Sequence, residues 1–356
     1  MPETFSVSPN DYKELASFLY DFEEGAKSRE FWLNTFDIWW DKNPAFSNDI
    51  ERGWLLRDKG RIVAFIGSLP SYFQVAGQKT RIFAITTWMV LPGFRNQSMG
   101  LLFKLLNAFD NSIVLDTTPT DIVAKTLKCF GFVPLPGYEN KNSLVIINHE
   151  HFLLSKLEEN PAAKALAAAL SYALKIFQDL RLMPLKKAGV KNVKKITAPE
   201  LSLDRLWERT KNLYANTNIR TAEMINWSCF LNKFRKKELF GYYENGELLG
   251  YLAAGAEKSA KLKILKCFDL WVEPSGENTV LSLINAVIEY AKENSFDCVV
   301  FPHFTKDLGV YFKKAGLLQG RPKESREYLK APPEIMSKIR SDNSYFVELQ
   351  GDRGMF

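Results

Sequence analysis

The feature that most constrains the fold is an internal repeat, because both halves of the chain carry the same features in the same order. In the first half, Trp40 precedes two apolar runs separated by a short polar turn that ends in Gly60. In the second half, Trp227 precedes two similar runs whose turn ends in Gly246, so the Trp-to-Gly spacings are 20 and 19 residues. Apolar runs joined by such a turn are typical of a β-hairpin. A repeat on this scale predicts two copies of one structural unit.

The match continues beyond the hairpins. Pro92 and Pro274 each end an apolar strand, and an amphipathic helix follows each of them. Gly131 and Gly316 each close a later short helix, 39 and 42 residues after the respective proline. Strands and helices mixed in this order predict an α/β fold with a mixed sheet in each half, and 356 residues suit two domains of middle size.

The loop after the first of these strands has the form of an anion-binding site. The apolar strand 82–91 runs into Pro92 and Gly93, and a short polar loop with Arg95 leads into a helix whose apolar face begins at Leu101. A helix start offers free backbone N–H groups and the positive end of the helix dipole, which together bind phosphate or pyrophosphate. The loop lacks the Gly-Lys-Ser/Thr ending of a Walker loop and the G-x-G-x-x-G dinucleotide pattern.

This loop resembles the acyl-CoA-binding loop of the GNAT acyltransferases, whose pattern is Val-x-Pro-x-x-Arg-x-x-Gly-x-Gly. Val90, Pro92, Arg95 and Gly100 match the pattern, whereas Ser98 stands where the first loop glycine is usual. A second point of resemblance is the Phe-Gly-Phe ending of the helix that follows, at residues 130–132.

With the repeat, the chain as a whole is similar to a tandem GNAT protein, in which two acyl-CoA N-acyltransferase folds share one polypeptide. The resemblance covers residues 5–147 and 200–330. It implies an N-terminal GNAT-like domain over residues 1–148 that binds acyl-CoA, a helical connector over residues 149–198, and a C-terminal GNAT-like domain over residues 199–356.

The second copy departs from the family pattern where CoA would bind. Pro274 is followed by no arginine at the matching position, and Glu273 and Glu277 bring negative charge close to a would-be phosphate. Like charges a few ångströms apart repel, so we expect the C-terminal CoA loop to be degenerate. The C-terminal half is then expected to shape the acceptor site, since ligand clefts often form between domains.

The resemblance also implies where the co-substrate lies. In this fold the strands 82–91 and 112–116 splay apart, and the pantetheine arm of acetyl-CoA or another acyl-CoA pairs with the backbone of residues 89–91. The pyrophosphate lies on the loop, and no metal is expected. The residues expected to contact the co-substrate are Met89, Val90, Leu91, Phe94, Arg95, Asn96, Gln97, Ser98, Met99, Gly100, Leu101 and Thr117.

The residues that would catalyse the reaction are less well defined. In the family a carboxylate serves as base and a tyrosine as acid, but strand 82–91 has no Asp or Glu and Leu127 stands where that tyrosine is usual. The candidates are therefore Asp116, Asp269 and Tyr138. Each has a structural alternative: a cap on the turn after a strand for Asp116, a partner of a nearby lysine or backbone group for Asp269, and a packed aromatic ring for Tyr138.

Charge and cysteine usage narrow the class of partner. A net charge of +6 over two domains is mild and fits a small anionic ligand. The basic stripe with interleaved aromatics that would favour DNA or RNA is missing from the sequence. The four cysteines are scattered without Cys-x-x-Cys spacing, which argues against zinc and fits a reducing cytoplasm. With no signal-like N-terminus and no apolar run of about 18 residues, we expect a cytoplasmic protein.

The connector contains a strongly helix-forming segment, 161–181, rich in Ala and Leu. A lysine cluster follows it, at Lys186, Lys187, Lys191, Lys194 and Lys195. We expect this helix to pack across the two domains with a solvated basic end. The alternative is a weak contact of residues 161–195 with a membrane surface.

The sequence thus favours an acyl-CoA-dependent N-acyltransferase that acts on a primary amine of a small molecule, an amino sugar or an amino acid derivative. One alternative is a FemABX-like aminoacyl transferase that uses charged tRNA, which would need a basic groove. The other is a non-catalytic CoA-binding module, since this sequence has neither the carboxylate nor the tyrosine of the family at the expected positions.

Overall fold

The mixed α/β architecture follows from strands that alternate with helices along both halves of the chain. A computed structural model describes residues 2–136, 140–157, 161–257, 259–274, 276–322, 327–351 and 354. The strands are β1 (Glu3–Ser6), β2 (Gly53–Asp58), β3 (Arg61–Val75), β4 (Gln78–Val90), β5 (Ile113–Asp116), β6 (Val133–Pro134), β7 (Asn142–Ile146), β8 (Val193–Ile196), β9 (Asn216–Asn218), β10 (Lys237–Glu244), β11 (Glu247–Glu257), β12 (Ile264–Val272), β13 (Cys298–Pro302), β14 (Leu318–Gln319), β15 (Tyr328–Lys330) and β16 (Ser344–Tyr345).

Helices cover these strands. They are α1 (Tyr12–Phe22), α2 (Arg29–Phe36), α3 (Ser98–Ala108), α4 (Asp121–Cys129), α5 (His149–Leu154), α6 (Pro161–Arg181), α7 (Met183–Ala188), α8 (Leu201–Thr210), α9 (Ala222–Ile225), α10 (Glu277–Glu293), α11 (Lys306–Lys314) and α12 (Pro333–Met336). The N-cap side chains of Thr120, Thr221 and Thr305 accept N–H groups at the starts of α4, α9 and α11. Such caps fix where a helix begins.

Two sheets carry the strands. The first has the spatial order β1-β2-β3-β4-β5-β15-β6, with β9 beside β3 and β16 beside β9. The second has the order β14-β7-β13-β12-β11-β10-β8. In both, an antiparallel hairpin leads into a long strand that pairs in parallel with the next. The predicted repeat is therefore confirmed as two mixed sheets of related order.

Both predicted hairpins form, and their turns show why. Lys59 and Gly60 connect β2 to β3 with φ values of +49° and +80°, and Asn245 and Gly246 connect β10 to β11 with +51° and +81°. Two successive residues with positive φ are what a type I′ turn needs, and its twist matches that of the flanking strands.

The sheets exchange strands between the two halves of the chain. β7 of the first half pairs with β13 and β14 in the second sheet. β15 of the second half pairs with β5 and β6 in the first sheet. The sequence predicts a boundary between the two domains at residue 148. Each sheet, however, contains a strand from the other side of that boundary.

Buried aromatic side chains join the halves further. Trp32, Trp39, Trp40 and Trp227 are all fully buried in one cluster that includes residues from both halves. The indole Nε1 of Trp227 donates to the carbonyl of Ile38 at 2.7 Å, which links the second half to the first. Large buried rings contribute strongly to core stability, so this cluster makes the two halves one packed unit.

Helix α6 contacts both halves of the chain through its C-terminal part. Among its described side chains only Ala167 and Gln178 are buried, so most of the helix is exposed, and its hydrogen bonds to both halves lie toward its C-terminal end. Its C-terminal part is held by Gln178, whose amide bonds the backbone of Ile146 through both its oxygen and its nitrogen. Arg181 adds a hydrogen bond to the carbonyl of Gly316 at 3.1 Å.

Candidate active site

The two central strands of the first sheet separate, as the resemblance implied. β4 and β5 pair in parallel at only three positions, the last of which joins Ala84 to Leu115. β5 ends at Asp116, whereas β4 continues to Val90. Beyond Ala84 the β5-facing edge of β4 therefore lacks its partner strand, and its backbone N–H and C=O groups are available to an extended ligand.

A β-bulge lies next to this separation. The register between β3 and β4 shifts there, and Thr87, in the shifted segment, has a φ of +50°. A β-branched residue with positive φ is uncommon, and such strain concentrates at functional sites. Gly67 on β3 makes room for the bulge, since a Cβ there would lie 2.9 Å from Cγ2 of Thr86. The bulge redirects the end of β4, as bulges beside active sites do.

A cavity of about 340 Å³ occupies the gap. One wall is β4 at Ile85, Thr86, Thr87, Trp88 and Met89, and the other is Asp116 with the start of α4. Lys27 and Trp32 close one side of it. The lysine Nζ lies 4.7 Å from the ring centroid of Trp32 and 3.1 Å from a carboxylate oxygen of Glu23.

Asp116 is the carboxylate of this cavity. Its side chain is buried, with 5% of the residue exposed, and Oδ1 accepts the N–H of Thr118 at 3.1 Å. The residue therefore caps the turn after β5, as its structural alternative held, and also lines the cavity. The neighbouring Thr117 is buried too, and its hydroxyl has no hydrogen-bond partner among the described residues.

The loop after β4 is more ordered than the sequence indicated. Residues Pro92–Gln97 form a 3₁₀ helix that runs directly into α3, and the N–H of Phe94 donates to Leu91 at 2.9 Å. A proline in the first turn favours this winding, because its fixed φ suits a helix. Several N–H groups expected to face a phosphate are thus used within the 3₁₀ turns.

The side chains of the expected loop contacts divide into two groups. Arg95, Asn96 and Gln97 are exposed, as is Gly100. By contrast, the side chain of Leu101 is 1% exposed and packs in the core with the apolar face of α3, so it has no surface to offer a cofactor. Phe94 and Met99 are half-buried against the same core.

The second sheet repeats this geometry without the basic loop. β12 and β13 also pair at three positions, and a register shift follows on the β11 side. A cavity of about 510 Å³ lies at the end of β12, where Trp271, Asp307 and Tyr311 are among its lining residues. Glu277 occupies the first turn of α10, where its charge satisfies the positive end of that helix.

Asp269 lies in the interior of the second half. Its carboxylate receives the Arg220 guanidinium, with Nε to Oδ2 at 2.9 Å and Nη2 to Oδ1 at 3.2 Å, and the hydroxyl of Tyr251 at 2.7 Å. Both side chains of the ion pair are fully buried. Burial and the Asp269 charge raise the pKa of Tyr251 well above its usual value, which keeps that hydroxyl a donor. A carboxylate with no exposed surface and these partners forms a structural ion pair, with an arginine and a tyrosine as partners rather than the lysine or backbone group expected in the structural alternative.

Arg220 is fixed from all sides. Its Nη1 donates to Oγ1 of Thr217 at 2.6 Å and to the carbonyl of Asn218 at 2.8 Å. The guanidinium also lies 4.0 Å from the ring centroid of Trp271. The planar, five-donor guanidinium suits such a buried network better than a lysine would.

Two further observations concern the expected site. Tyr138 lies outside the described residues. The C-terminal segment also reaches this region: residues 344–351 are buried, and Gly351 lies beside Thr117. Lys27 and Trp32 were not predicted, since nothing in their local sequence distinguishes them from other surface and core residues.

Comparison with known proteins finds similar proteins by their structures and not by their sequences. No protein-family model and no curated sequence matches the chain. The chain is similar to N-myristoyltransferase from Saccharomyces cerevisiae, solved with bound myristoyl-CoA, at 15% identity and a TM-score of 0.58, covering 92% of this chain and 77% of that one. It is also similar to a GCN5-related N-acetyltransferase from Anabaena variabilis, at 11% identity and a TM-score of 0.57, covering 96% and 75%.

A third similar structure is a conserved protein of unknown function from Enterococcus faecalis, titled a probable N-acyltransferase. It is 9% identical, with a TM-score of 0.58 over 93% of this chain and 73% of that one. At these identities the likeness establishes the fold. The chain has the tandem GNAT fold expected from its repeat and loop.

Proposed function

We propose that the protein is an acyl-CoA-dependent N-acyltransferase whose N-terminal half holds the acyl-CoA. The observation that carries this proposal is the free edge of β4 beside a cavity that ends at Asp116, directly before a loop with exposed Arg95. The solved structure with bound myristoyl-CoA shares this fold, and the other similar structures are titled as N-acetyltransferase or probable N-acyltransferase.

In the proposed complex, the pantetheine arm extends along β4 and places the thioester in the cavity. The pyrophosphate contacts Arg95, Asn96 and Gln97 at the start of α3. A free N–H on the β4 edge stabilises the charge that develops on the carbonyl oxygen. The neutral amine attacks the carbonyl carbon, a C–N bond forms and the C–S bond breaks. Asp116 takes the proton of the amine, and the thiolate leaves.

The C-terminal half is proposed to serve the acceptor. Arg209 holds Glu273 at 2.6 Å, and Glu277 lies 3.5 Å from Lys314, so these carboxylates remain at the place of the missing anion loop. A pyrophosphate would have to displace these carboxylates from their cations, which disfavours a second CoA. Aromatic rings and Asp307 around the larger cavity fit a positively charged part of the acceptor other than the amine that reacts, since the two cavities share no lining residue.

The direct test is calorimetric titration of the protein with CoA. We expect saturable binding of one CoA per chain. Arg95→Ala should weaken it about tenfold or more, because one charged hydrogen-bond partner of the pyrophosphate is lost. Arg205→Ala is the matched control, since Arg205 is an exposed arginine on α8, in the second half of the chain. Absence of saturable binding, or equal weakening by both variants, would contradict the proposal.

A substitution at Gly100 can distinguish an effect on CoA binding from an effect on the stability of the fold. A Cβ at this position would meet no atom within 4 Å, so the fold does not require glycine there. Gly100→Ala should raise the unfolding free energy by up to about 1 kcal/mol, because alanine favours the helix. The same methyl group should weaken CoA binding if the pyrophosphate approaches the backbone closely.

Thermal unfolding and calorimetry together check this prediction. The control is Gly93→Ala, at a second open position before the helix. A Gly100→Ala protein that is more stable and binds CoA as tightly as the wild type would show that the ligand does not lie against α3.

A further inference from the structure

Helix α6 has an outward face that is apolar along its whole described length. Phe177 is 53% exposed and Leu180 is 63% exposed. The helix repeats apolar residues at the spacing of a single helical stripe. The members of this stripe are Leu166, Leu170, Ala173, Phe177 and Leu180.

The orientation of this helix is the reverse of the usual one. A surface helix normally buries its apolar stripe, but here Gln178 is buried and bonded to the protein, whereas the stripe faces outward. Scattered exposed apolar residues need no explanation, but a contiguous exposed patch of large ones marks an interaction surface. The question is therefore what covers it.

Positive charge at the C-terminal end of α6 points to the occupant. Lys186 is exposed on α7, and its Nζ lies 3.3 Å from Asp179 of α6, so this lysine lies beside the helix itself. Lys187, Lys191 and Lys194 are exposed as well. Lysines next to an apolar helix face are the pattern that binds anionic headgroups while the apolar side chains enter the acyl boundary.

We propose that α6 and the lysine cluster bind the surface of an anionic lipid membrane, with the helix lying in the plane of the interface. Within the described ranges, no helix has both the length and the apolar character needed to cross a bilayer. The helix, 21 residues long, would lie about 30 Å along the surface. A second copy packed parallel to the first would bring two lysine clusters together, which disfavours that arrangement.

Vesicle flotation with the full-length chain tests this proposal independently of any activity. The probes are phosphatidylcholine vesicles with and without phosphatidylglycerol. We expect wild type to float with the anionic vesicles and to bind the neutral ones about tenfold or more weakly, because each lysine near the surface adds to the attraction. Raised salt should weaken the anionic binding.

Two variants identify the binding surface. Phe177→Ser with Leu180→Ser should reduce anionic-vesicle binding about tenfold or more, since two apolar side chains no longer enter the interface. Ile122→Ser with Val310→Ser is the matched control, because both residues are exposed apolar side chains on other helices, and it should bind as wild type does. Lys187→Glu with Lys191→Glu should remove the preference for anionic vesicles.

The proposal is overturned if wild type does not bind anionic vesicles, or if the serine variant on α6 binds as well as its control. Sedimentation without lipid tests the alternative occupant of this face, a second copy of the chain. A stable dimer that the α6 serine variant converts to monomer would identify the face as an interface between copies and overturn the membrane assignment.

Discussion

Asp269→Ala is expected to lower the unfolding free energy by about 3–5 kcal/mol, the usual effect of removing one partner of a buried ion pair. The substitution leaves the Arg220 guanidinium fully buried and charged, with its strongest partner lost. It also removes the acceptor of the Tyr251 hydroxyl. Much of this cost comes from the charge left unpaired, because burial disfavours it.

Denaturant unfolding of the wild type and the variant measures this cost. The matched control replaces both partners, Arg220→Met with Asp269→Leu, and should recover much of the lost stability because no buried charge remains. If Asp269 instead served the chemistry, Asp269→Ala would be as stable as the wild type and would lack activity. That result would contradict the structural role.

Asp116→Asn is expected to reduce turnover about 10²–10⁴-fold, the range that a general base contributes. Stability should change little, since the asparagine oxygen can still accept the N–H of Thr118. CoA affinity should also stay close to that of the wild type, because the loop and the β4 edge are untouched. The loss would then lie in the chemical step rather than in binding.

Release of free thiol from acyl-CoA in the presence of an amine panel measures this turnover. Asp121→Asn is the control, because Asp121 is an exposed carboxylate in the first turn of α4, close to the cavity wall. Unchanged turnover in Asp116→Asn would remove Asp116 as the base. Thiol release that is absent in the wild type, despite saturable CoA binding, would favour a non-catalytic CoA-binding module.

Local patterns in the sequence were enough to predict the elements around the cavity. The hairpin turns at Gly60 and Gly246, the end of β4 before Pro92 and the start of the helix after it each depend on a few adjacent residues. Turn chemistry and hydrophobic periodicity report such features directly. Asp116 was found for the same reason, as a carboxylate at the end of a short apolar strand.

Features that depend on distant residues were not predictable in the same way. The partner of Asp269 is Arg220, 49 residues away, and no local sequence pattern indicates which cation a buried carboxylate contacts. β15 is only three residues long, so periodicity could not show that it joins the first sheet. The orientation of α6 depends on the hydrogen bonds between Gln178 and the backbone of Ile146. Neither helix propensity nor the amphipathic pattern of the helix predicts this contact.

The strand exchange makes the order of synthesis matter for this protein. As the chain leaves the ribosome, β5 has an open edge until Tyr328–Lys330 arrives to pair with it. An exposed strand edge invites pairing with other chains, and a long loop must close before the native partner can bind. The N-terminal half is therefore expected to remain incomplete during translation, and a fragment that stops before residue 328 would carry that open edge permanently.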